Sequence, residues 1–285
     1  MDRHETIAAA RRAYARQVAL AAGVRDPRLE AALAELPRER FLPPGPWHLQ
    51  HWSGDYRVTP DDDPAFVYQD MPVAILPERR LNNGQPSFIA GLIAAGRPRP
   101  GELAVHVGAG TGYFTALLAR LVAPGGRVLG IEHDPDLAAR AAAALAGLDG
   151  VGVEVGDGAA MALPPADLVL VNAGATHPAA AWLDALKPGG RLILPLTAEP
   201  AGQGSPITSG VVFLIERQDG GYAARCLSTT MIYPCAGARD PEAAAALRRA
   251  LAAGGQDRVA ALLRTDAVDE ARCWLRGAGW CLAYG

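Results

Sequence analysis

Short apolar runs alternate with segments of helical periodicity through the middle of the chain. Alternation of this kind is typical of a parallel sheet whose strands are joined by crossover helices. The expected strands are 103–107, 127–131, 151–155, 167–171 and 191–196, and the expected helices between them are 113–122, 135–146 and 178–186. The pattern therefore predicts an α/β domain with a doubly wound sheet.

The segments that flank this domain have different patterns. Alanine-rich periodicity predicts helices near the N-terminus, and a stretch rich in proline, glycine, tryptophan and histidine predicts a long loop after them. Asp219-Gly220-Gly221 lies between two apolar runs and predicts a hairpin at the sheet edge. An alanine-rich stretch after Asp240-Pro241 predicts helices in the tail. We expect an N-terminal helical segment (1–43), an insertion loop (44–64), the α/β domain (65–235) and a C-terminal helical appendage (236–285).

Composition and charge narrow the class of protein. The 285 residues are 50% hydrophobic and carry a formal net charge of -3, which argues against a protein that mainly neutralises nucleic acid phosphates. No apolar run reaches the roughly 18 residues of a membrane span. The arginine-studded N-terminus lacks the apolar core of a secretory leader. We therefore expect a cytoplasmic protein that binds neither nucleic acid nor membrane.

The cysteines and acidic clusters do not indicate a metal site. Cys226, Cys235, Cys273 and Cys281 form no CxxC pair, so their spacing indicates neither zinc nor a disulfide framework. The run Asp61-Asp62-Asp63 lacks a consistent ligand spacing and is expected to be solvated or to cap a helix. No metal cofactor is expected.

A glycine-rich turn joins the first expected strand to the following helix. Gly108, Gly110 and Gly112 form a GxGxG pattern, which lets the backbone approach a ligand and directs helix N–H groups toward it. Such a turn also occurs as a plain tight turn. Nicotinamide cofactors prefer GxGxxG, and a phosphate-binding P-loop needs a Gly-Lys-Ser/Thr ending that is absent here. The spacing therefore favours S-adenosylmethionine over NAD or ATP.

Acidic residues follow the next two expected strands. Glu132 comes twenty residues after Gly112, where a carboxylate can accept both ribose hydroxyls of a nucleoside. Asp157, in Gly156-Asp157-Gly158, can accept from an exocyclic amine such as that of adenine. Because parallel strands end at one edge of a sheet, an adenosine-containing ligand is expected there.

Several motifs together resemble the protein-L-isoaspartate O-methyltransferase family over roughly residues 20–234. They are Pro37–Pro43, Tyr68–Asp70, Gln85–Pro86, Gly108–Tyr113, Gly130–Asp134, Gly156–Gly158, Leu186–Pro195 and Met231–Pro234. Glycine turns occur in many methyltransferases, whereas the first and last of these motifs are more specific to this family.

The resemblance implies a Rossmann-like class I methyltransferase sheet with helices on both faces. It also implies that S-adenosylmethionine methylates an aspartyl or isoaspartyl carboxylate of a protein or peptide. The cofactor-binding candidates are His106, Gly108, Ala109, Gly110, Gly112, Tyr113, Glu132, His133, Asp157 and Gly158. The candidates at the reacting group are Asn83, Gly84 and Gln85, with Ser87 and Asn172 as further candidates for substrate contact.

Of four departures from the family pattern, two are additions, the insertion and the tail, and two fall at candidate site residues. The family usually has Thr-Ile-Ser where this chain has Asn82, Asn83 and Gly84, so the serine hydroxyl is missing. Either Asn83 or Ser87 supplies that polar contact, or the substrate is not the isoaspartyl site of damaged proteins. His106 replaces a carboxylate that helps to hold the methionine ammonium group. A neutral histidine can still accept a hydrogen bond, a charged one repels the ammonium, and a third interpretation is an ordinary strand histidine.

These departures leave alternative functions open. One is a dedicated tailoring methyltransferase for an aspartate of a ribosomal peptide natural product, for which the insertion and tail are additional arguments. Another is a catalytically inactive protein that binds S-adenosylmethionine. An NAD-dependent oxidoreductase is a third, and the GxGxG spacing argues against it.

Overall fold

The computed structural model describes residues 3–51, 53–199 and 207–285 of the chain. The α-helices are α1 (Arg3–Ala21), α2 (Pro27–Glu35), α3 (Pro86–Gly96), α4 (Tyr113–Val122), α5 (Pro135–Leu145), α6 (Ala180–Ala185) and α7 (Pro241–Ala253). Short 3-10 helices span Arg38–Phe41, Pro64–Val67, Pro77–Arg79, Ala236–Ala238, Gln256–Arg258 and Glu270–Arg272. Within these described ranges, no helix has the length and apolar character needed to cross a membrane.

The strands are mostly short, apart from three long ones near the middle of the chain. They are β1 (His48–Gln50), β2 (Tyr56–Val58), β3 (Ala74–Leu76), β4 (Leu81–Asn82), β5 (Leu103–Val107), β6 (Arg127–Glu132), β7 (Val151–Val155), β8 (Ala166–Val171), β9 (Leu186–Ala198), β10 (Thr208–Gln218), β11 (Gly221–Ile232), β12 (Val259–Leu263), β13 (Cys273–Gly277) and β14 (Trp280–Tyr284). The five strands expected from the apolar runs correspond to β5 to β9, so this part of the prediction is confirmed.

The chain forms two compact units. The first comprises Met1–Glu102 and Ala109–Val155, and the second comprises Leu103–Gly108 and Gly156–Gly285. In the first unit, β6 and β7 pair in parallel and are joined by α5. α1 packs on α2 and α3, and α2 packs on α4. The first unit therefore contains a strand–helix–strand crossover of the expected kind.

The second unit contains a mixed sheet in the order β13-β14-β12-β11-β10-β9-β8-β5. β5, β8 and β9 run parallel, whereas β10 and the strands beyond it pair antiparallel. The expected hairpin is present, because β10 and β11 pair up to Gln218 and Gly221. The predicted α/β class is confirmed.

In the expected helical appendage (236–285), the one α-helix among the described residues is α7, near its start. α7 begins after Asp240, whose carboxylate accepts from Ala243 N at 2.7 Å, and it ends before Gly254, which has φ +72°. The remainder forms β12, β14 and β13, which extend the sheet antiparallel from β11. The expectation of helices throughout the tail is wrong, because short apolar runs there cover the edge of β11 and satisfy its backbone groups.

The cysteine spacing did not indicate a disulfide, and the structure corrects this. Cys273 and Cys281 form a disulfide between the antiparallel strands β13 and β14. Cys226 and Cys235 are free thiols. Eight residues of spacing allow a hairpin to bring two cysteines to adjacent strands, but this follows only once the tail is known to form strands.

The expected insertion loop (44–64) contains secondary structure. β1 and β2 pair antiparallel, with His48 opposite Val58 and Gln50 opposite Tyr56. Trp47 is buried, and its backbone N–H donates to Thr59 Oγ1 at 2.9 Å. The plain-loop prediction is therefore wrong, since buried residues within the proline-rich stretch fold it into a hairpin. We call β1, β2 and the described residues between them, His51 and 53–55, the insertion hairpin.

Candidate active site

In the first unit, the end of the glycine turn adopts conformations that favour glycine. Gly110 has φ +56° and Gly112 has φ +94°, and Gly112 caps the N-terminus of α4. A Cβ at Gly112 would lie 2.9 Å from Leu145 Cδ1. Position 112 therefore needs glycine for both its backbone angle and its space.

Glu132, at the end of β6, holds this turn directly. Gly110 N donates to Glu132 Oε2 at 2.7 Å, and Asp134 N donates to Oε1 at 3.0 Å. A carboxylate has about four acceptor positions, so capacity remains for the ribose hydroxyls predicted from the sequence. The adjacent His133 is exposed. Gly110 and Glu132, two of the predicted cofactor-binding residues, are thus in contact within one unit, and their role toward the cofactor stays a prediction.

Tyr113 has its ring in the packed interior. Its side chain is 1% exposed, its hydroxyl lies 3.1 Å from that of Tyr14, and its ring packs edge-on to Phe41 with centroids 5.6 Å apart. Burial raises the pKa of Tyr113 well above its ordinary value. The side chain of Tyr113 is therefore not placed to contact a cofactor, and only its backbone is suited to that role.

Thr111 was missed by sequence reasoning, although it lies inside the predicted turn. Its hydroxyl donates to Phe41 O at 2.5 Å, and the side chain is buried. The Pro37–Pro43 motif therefore supports the glycine turn through Phe41. The signal in the sequence was a hydroxyl between two glycines of the turn.

Arg38 organises the loop that precedes Asn82–Gln85, which we call the candidate reacting segment. The residue is fully buried, and its guanidinium donates to the carbonyls of Val67, Gln69 and Met71 at 2.7, 2.8 and 2.7 Å. Three carbonyl acceptors offset the cost of burying a cation. The sequence contained this residue only as part of a family motif, without a role.

Asp70 links that loop to the start of α3. Its Oδ1 accepts from Ser87 N at 2.7 Å, and its Oδ2 accepts from Gln85 Nε2 at 3.2 Å. The negative charge also lies favourably at a helix N-terminus. Two predicted site residues, Gln85 and Ser87, are therefore held by one carboxylate that the sequence analysis did not single out.

Asn83 and Gly84 bear on the missing serine hydroxyl. Asn83 Oδ1 accepts from Val73 N at 2.9 Å and lies 3.5 Å from Arg38 Nη2, so it is already engaged. Gly84 has φ +80°, and a Cβ there would lie 3.3 Å from Ile89 Cγ1. A serine at this position would adopt a left-handed conformation that costs roughly 1–2 kcal/mol. Gly84 therefore differs from the family's serine in two ways: it lacks the hydroxyl, and its backbone has a conformation that disfavours serine.

In the second unit, Gly108 and Asn172 are in direct contact. Asn172 N donates to Val107 O at 2.8 Å, and a Cβ at Gly108, which has φ +79°, would lie 3.2 Å from Asn172 O. The contact with Gly108 is made by the backbone of Asn172. Its proposed role toward the substrate stays a prediction.

His106, in β5, is completely buried. Burial lowers its pKa to about 4, so the ring is neutral near pH 7. Burial therefore argues against the alternative of a charged histidine. Of the two remaining interpretations, complete burial favours a strand histidine over a ligand of the cofactor.

Asp157 and Gly158 follow β7 at the start of the second unit's longer segment. Asp157 Oδ1 accepts from Ala159 N at 2.9 Å, and Gly158 O accepts from Trp182 Nε1 at 2.7 Å. A Cβ at Gly237 would overlap both oxygens of the Asp157 carboxylate. Sequence reasoning missed Gly237, because nothing in the chain's pattern places the tail beside Asp157.

Comparisons with known proteins cover most of the chain. A family model described as Protein-L-isoaspartate(D-aspartate) O-methyltransferase (PCMT) matches residues 17–205. A protein named protein-L-isoaspartate O-methyltransferase 1 from Anaeromyxobacter sp. (strain Fw109-5) is 39% identical over 188 residues, which cover 64% of this chain and 78% of the relative. A protein of the same name from Rhodopseudomonas palustris (strain HaA2) is 35% identical over 206 residues, covering 71% of this chain and 75% of the relative.

The fold is similar to that of two solved structures. One, described as a protein-L-isoaspartate O-methyltransferase, has a TM-score of 0.60 and 21% identity, covering 85% of this chain and 70% of that chain. The other, a beta-aspartate methyltransferase (PCMT) from Plasmodium falciparum in complex with S-adenosyl-L-homocysteine, has a TM-score of 0.60 and 17% identity, covering 79% and 97%. These similarities confirm the predicted methyltransferase-type fold.

Proposed function

Because the chain belongs to the protein-L-isoaspartate O-methyltransferase family and is an S-adenosylmethionine-dependent O-methyltransferase, we propose that it methylates an aspartyl or isoaspartyl carboxylate of a protein or peptide. The observation that supports the cofactor site most directly is the hydrogen bond from Gly110 N to Glu132, which holds the glycine turn against the end of β6. Both residues lie within the segment that the family model matches.

The residues of the first unit fit S-adenosylmethionine. Glu132 is half-buried and retains acceptor capacity for ribose hydroxyls, and the exposed His133 is available to lie beside the adenine. Gly110 has no side chain that would separate a ligand from the turn. Asp157 stays our candidate for the adenine amine, and Gly158 stays a further candidate for cofactor contact.

Methyl transfer to a carboxylate requires little acid or base assistance. A carboxyl group with a pKa of about 4 is an anion at neutral pH. The bound cofactor supplies an activated methyl group on a sulfonium. The protein's contribution is then to hold the acceptor oxygen in line and to exclude water, which can lower a barrier by roughly 7–11 kcal/mol. Asn83, Gly84 and Gln85 remain our candidates for this placement.

Two classes of acceptor fit this chemistry. The first is the isoaspartyl site of damaged proteins. The second is one aspartate of a dedicated ribosomal peptide, which would make the protein a tailoring enzyme. The positive φ of Gly84 and the engaged carboxamide oxygen of Asn83 favour the second, because neither residue replaces the family's serine hydroxyl. Ser87 stays the remaining candidate for that polar contact.

Cofactor binding tests the assignment of Glu132. Glu132→Ala is expected to weaken S-adenosylmethionine binding about tenfold or more, because a charge-assisted hydrogen bond contributes about 1.5–3 kcal/mol. Glu154→Ala removes an exposed carboxylate from the neighbouring strand β7 and serves as the matched control. Calorimetry of both variants provides the measurement. Equal affinities for the two would refute the role of Glu132.

The acceptor is tested with labelled S-adenosylmethionine and two short peptides that differ only in carrying an isoaspartyl or an aspartyl residue. Labelling of the isoaspartyl peptide alone supports repair of damaged proteins. Cofactor binding without labelling of either short peptide argues against repair of damaged proteins, and dedicated ribosomal peptides are then assayed in the same way. A protein that binds the cofactor yet methylates none of these peptides matches the inactive alternative and refutes the proposed activity, and absence of binding would overturn the proposal as well.

A further inference from the structure

The insertion hairpin contacts the candidate reacting segment directly. Gln50 and Tyr56 lie directly opposite each other in the hairpin, so their side chains share a face. Asn82 Nδ2 donates to Gln50 Oε1 at 3.1 Å and to Tyr56 Oη at 2.8 Å. Both amide protons of Asn82 are therefore directed to the hairpin.

A second pair of contacts connects the insertion hairpin to Arg80, which precedes Asn82 by two residues. Tyr56 Oη donates to Arg80 O at 3.2 Å, and Arg80 Nη2 donates to Gly54 O at 3.1 Å. Arg80 has φ +53°, a left-handed conformation that is unfavourable for a residue with a Cβ. The hairpin contacts offset this strain where the chain enters β4.

Asn82 passes this constraint on to Gly84. The Oδ1 atom of the same carboxamide accepts from Gly84 N at 2.9 Å. A carboxamide is planar, so fixing its two amide protons also fixes the direction of its oxygen. The position of the Gly84 backbone is therefore set by an amide whose other end the hairpin holds.

The hairpin is itself anchored to the body of the first unit. Gln50 N donates to Pro72 O at 2.9 Å, and Leu49 forms an isolated bridge to Val73. Trp47 and Leu49 are buried in one cluster with Val73 and Ile75. The hairpin is therefore packed against the first unit and can hold the side chain of Asn82 in one position.

We propose that the insertion hairpin is part of the acceptor site, and that Tyr56 is a positioning residue that acts through Asn82 on the backbone of Gly84. This rests on the proposed function, in which Gly84 and Gln85 lie at the reacting carboxylate. The hairpin contributes a positioning network at the position where the family's serine is absent. Removing the Tyr56 hydroxyl removes the 2.8 Å contact with Asn82 Nδ2 and the 3.2 Å contact with Arg80 O.

Tyr56→Phe tests the positioning in two independent ways. Hydrogen exchange of the 81–85 segment reports the hold on the Gly84 amide without requiring turnover, and we expect exchange there to become about tenfold faster. Steady-state kinetics with whichever of the two short peptides, isoaspartyl or aspartyl, the wild type methylates reports the consequence, and we expect kcat to fall about fivefold while KM for S-adenosylmethionine stays unchanged. The melting temperature is expected to change little.

The matched control is Tyr222→Phe, which also removes a hydroxyl that donates to a backbone carbonyl, that of Leu183 at 3.3 Å. It is expected to leave exchange at 81–85 and kcat unchanged. Asn82→Ala and the double variant Asn82→Ala/Tyr56→Phe should have the same kcat, because Tyr56 acts through Asn82. Additive losses would overturn this route.

The outcomes separate the two proposals. Unchanged exchange at 81–85 in Tyr56→Phe overturns the positioning role, whatever the activity. Faster exchange with unchanged kcat in an active enzyme also overturns it, because the hairpin would then be structural only. A wild-type protein that methylates no carboxylate peptide refutes the proposed function, while the exchange experiment still decides whether the hairpin holds Gly84.

Discussion

The burial of His106 predicts a pH dependence of stability. The ring is completely enclosed in β5, whose His106 pairs in parallel register with Leu170 of β8. Desolvation penalises the imidazolium and lowers the pKa to about 4 in the folded protein. In the unfolded chain the pKa returns to about 6.5. Between these two pKa values, the unfolded chain binds a proton at His106 that the folded protein does not bind.

The sign follows from this difference in proton binding. Above about pH 6.5 neither state is protonated at His106, so the native protein has its full stability. As the pH falls from about 6.5 to about 4, the unfolded chain gains a proton and the stability is lost. Each pKa unit corresponds to about 1.4 kcal/mol, so His106 alone removes about 2 kcal/mol between about pH 7.5 and about pH 5.

The assay is urea unfolding at these two pH values for the wild type and for His106→Gln, whose side chain does not titrate. The variant is expected to lose about 2 kcal/mol less free energy of unfolding than the wild type. His177, whose pKa burial also lowers, contributes equally to both proteins and cancels. His4→Gln, at an exposed position of α1, is the control and should keep the wild-type pH dependence. An equal loss of free energy of unfolding in the wild type and in His106→Gln would show that His106 does not cause this pH dependence.

Two further predictions concern glycines. Gly237→Ala places a methyl group on the Asp157 carboxylate, so we expect a loss of about 1–3 kcal/mol in urea unfolding and weaker S-adenosylmethionine binding in calorimetry. Gly221→Ala, where an added methyl group meets nothing within 4 Å, is the control, and equal effects would contradict this prediction. Gly84→Ser should cost roughly 1–2 kcal/mol in urea unfolding because of its positive φ. A fully stable Gly84→Ser variant with increased activity on the isoaspartyl peptide would contradict the strain argument and support loss of a catalytic hydroxyl.

Much of the first unit's candidate site could be predicted from local sequence. A GxGxG turn after an apolar run and an acidic residue at the end of the next run are short-range signals, and Glu132 does contact Gly110. The partners of Asn83 could not be predicted in this way. Its carboxamide faces Val73 and Arg38, ten and forty-five residues away in sequence, and no local pattern encodes such contacts.

The tail illustrates the same limit in the fold. Its alanine-rich start is a local helix signal, and α7 forms there. The short apolar runs that follow suit either a helix or a strand. They became β12 to β14 because the edge of β11 offers unpaired backbone groups, and that edge exists only once the sheet has formed.

The α/β class, the glycine turn, the family and the cofactor could be predicted from residue types at short, regular spacings, which restrict the backbone directly. The burial that lowers the pKa of His106, the contact of Gly237 with Asp157 and the hydrogen bonds from Asn82 to the insertion hairpin follow only from the folded chain. Each of these depends on burial or on contact between distant segments, and those arise only when the chain is packed.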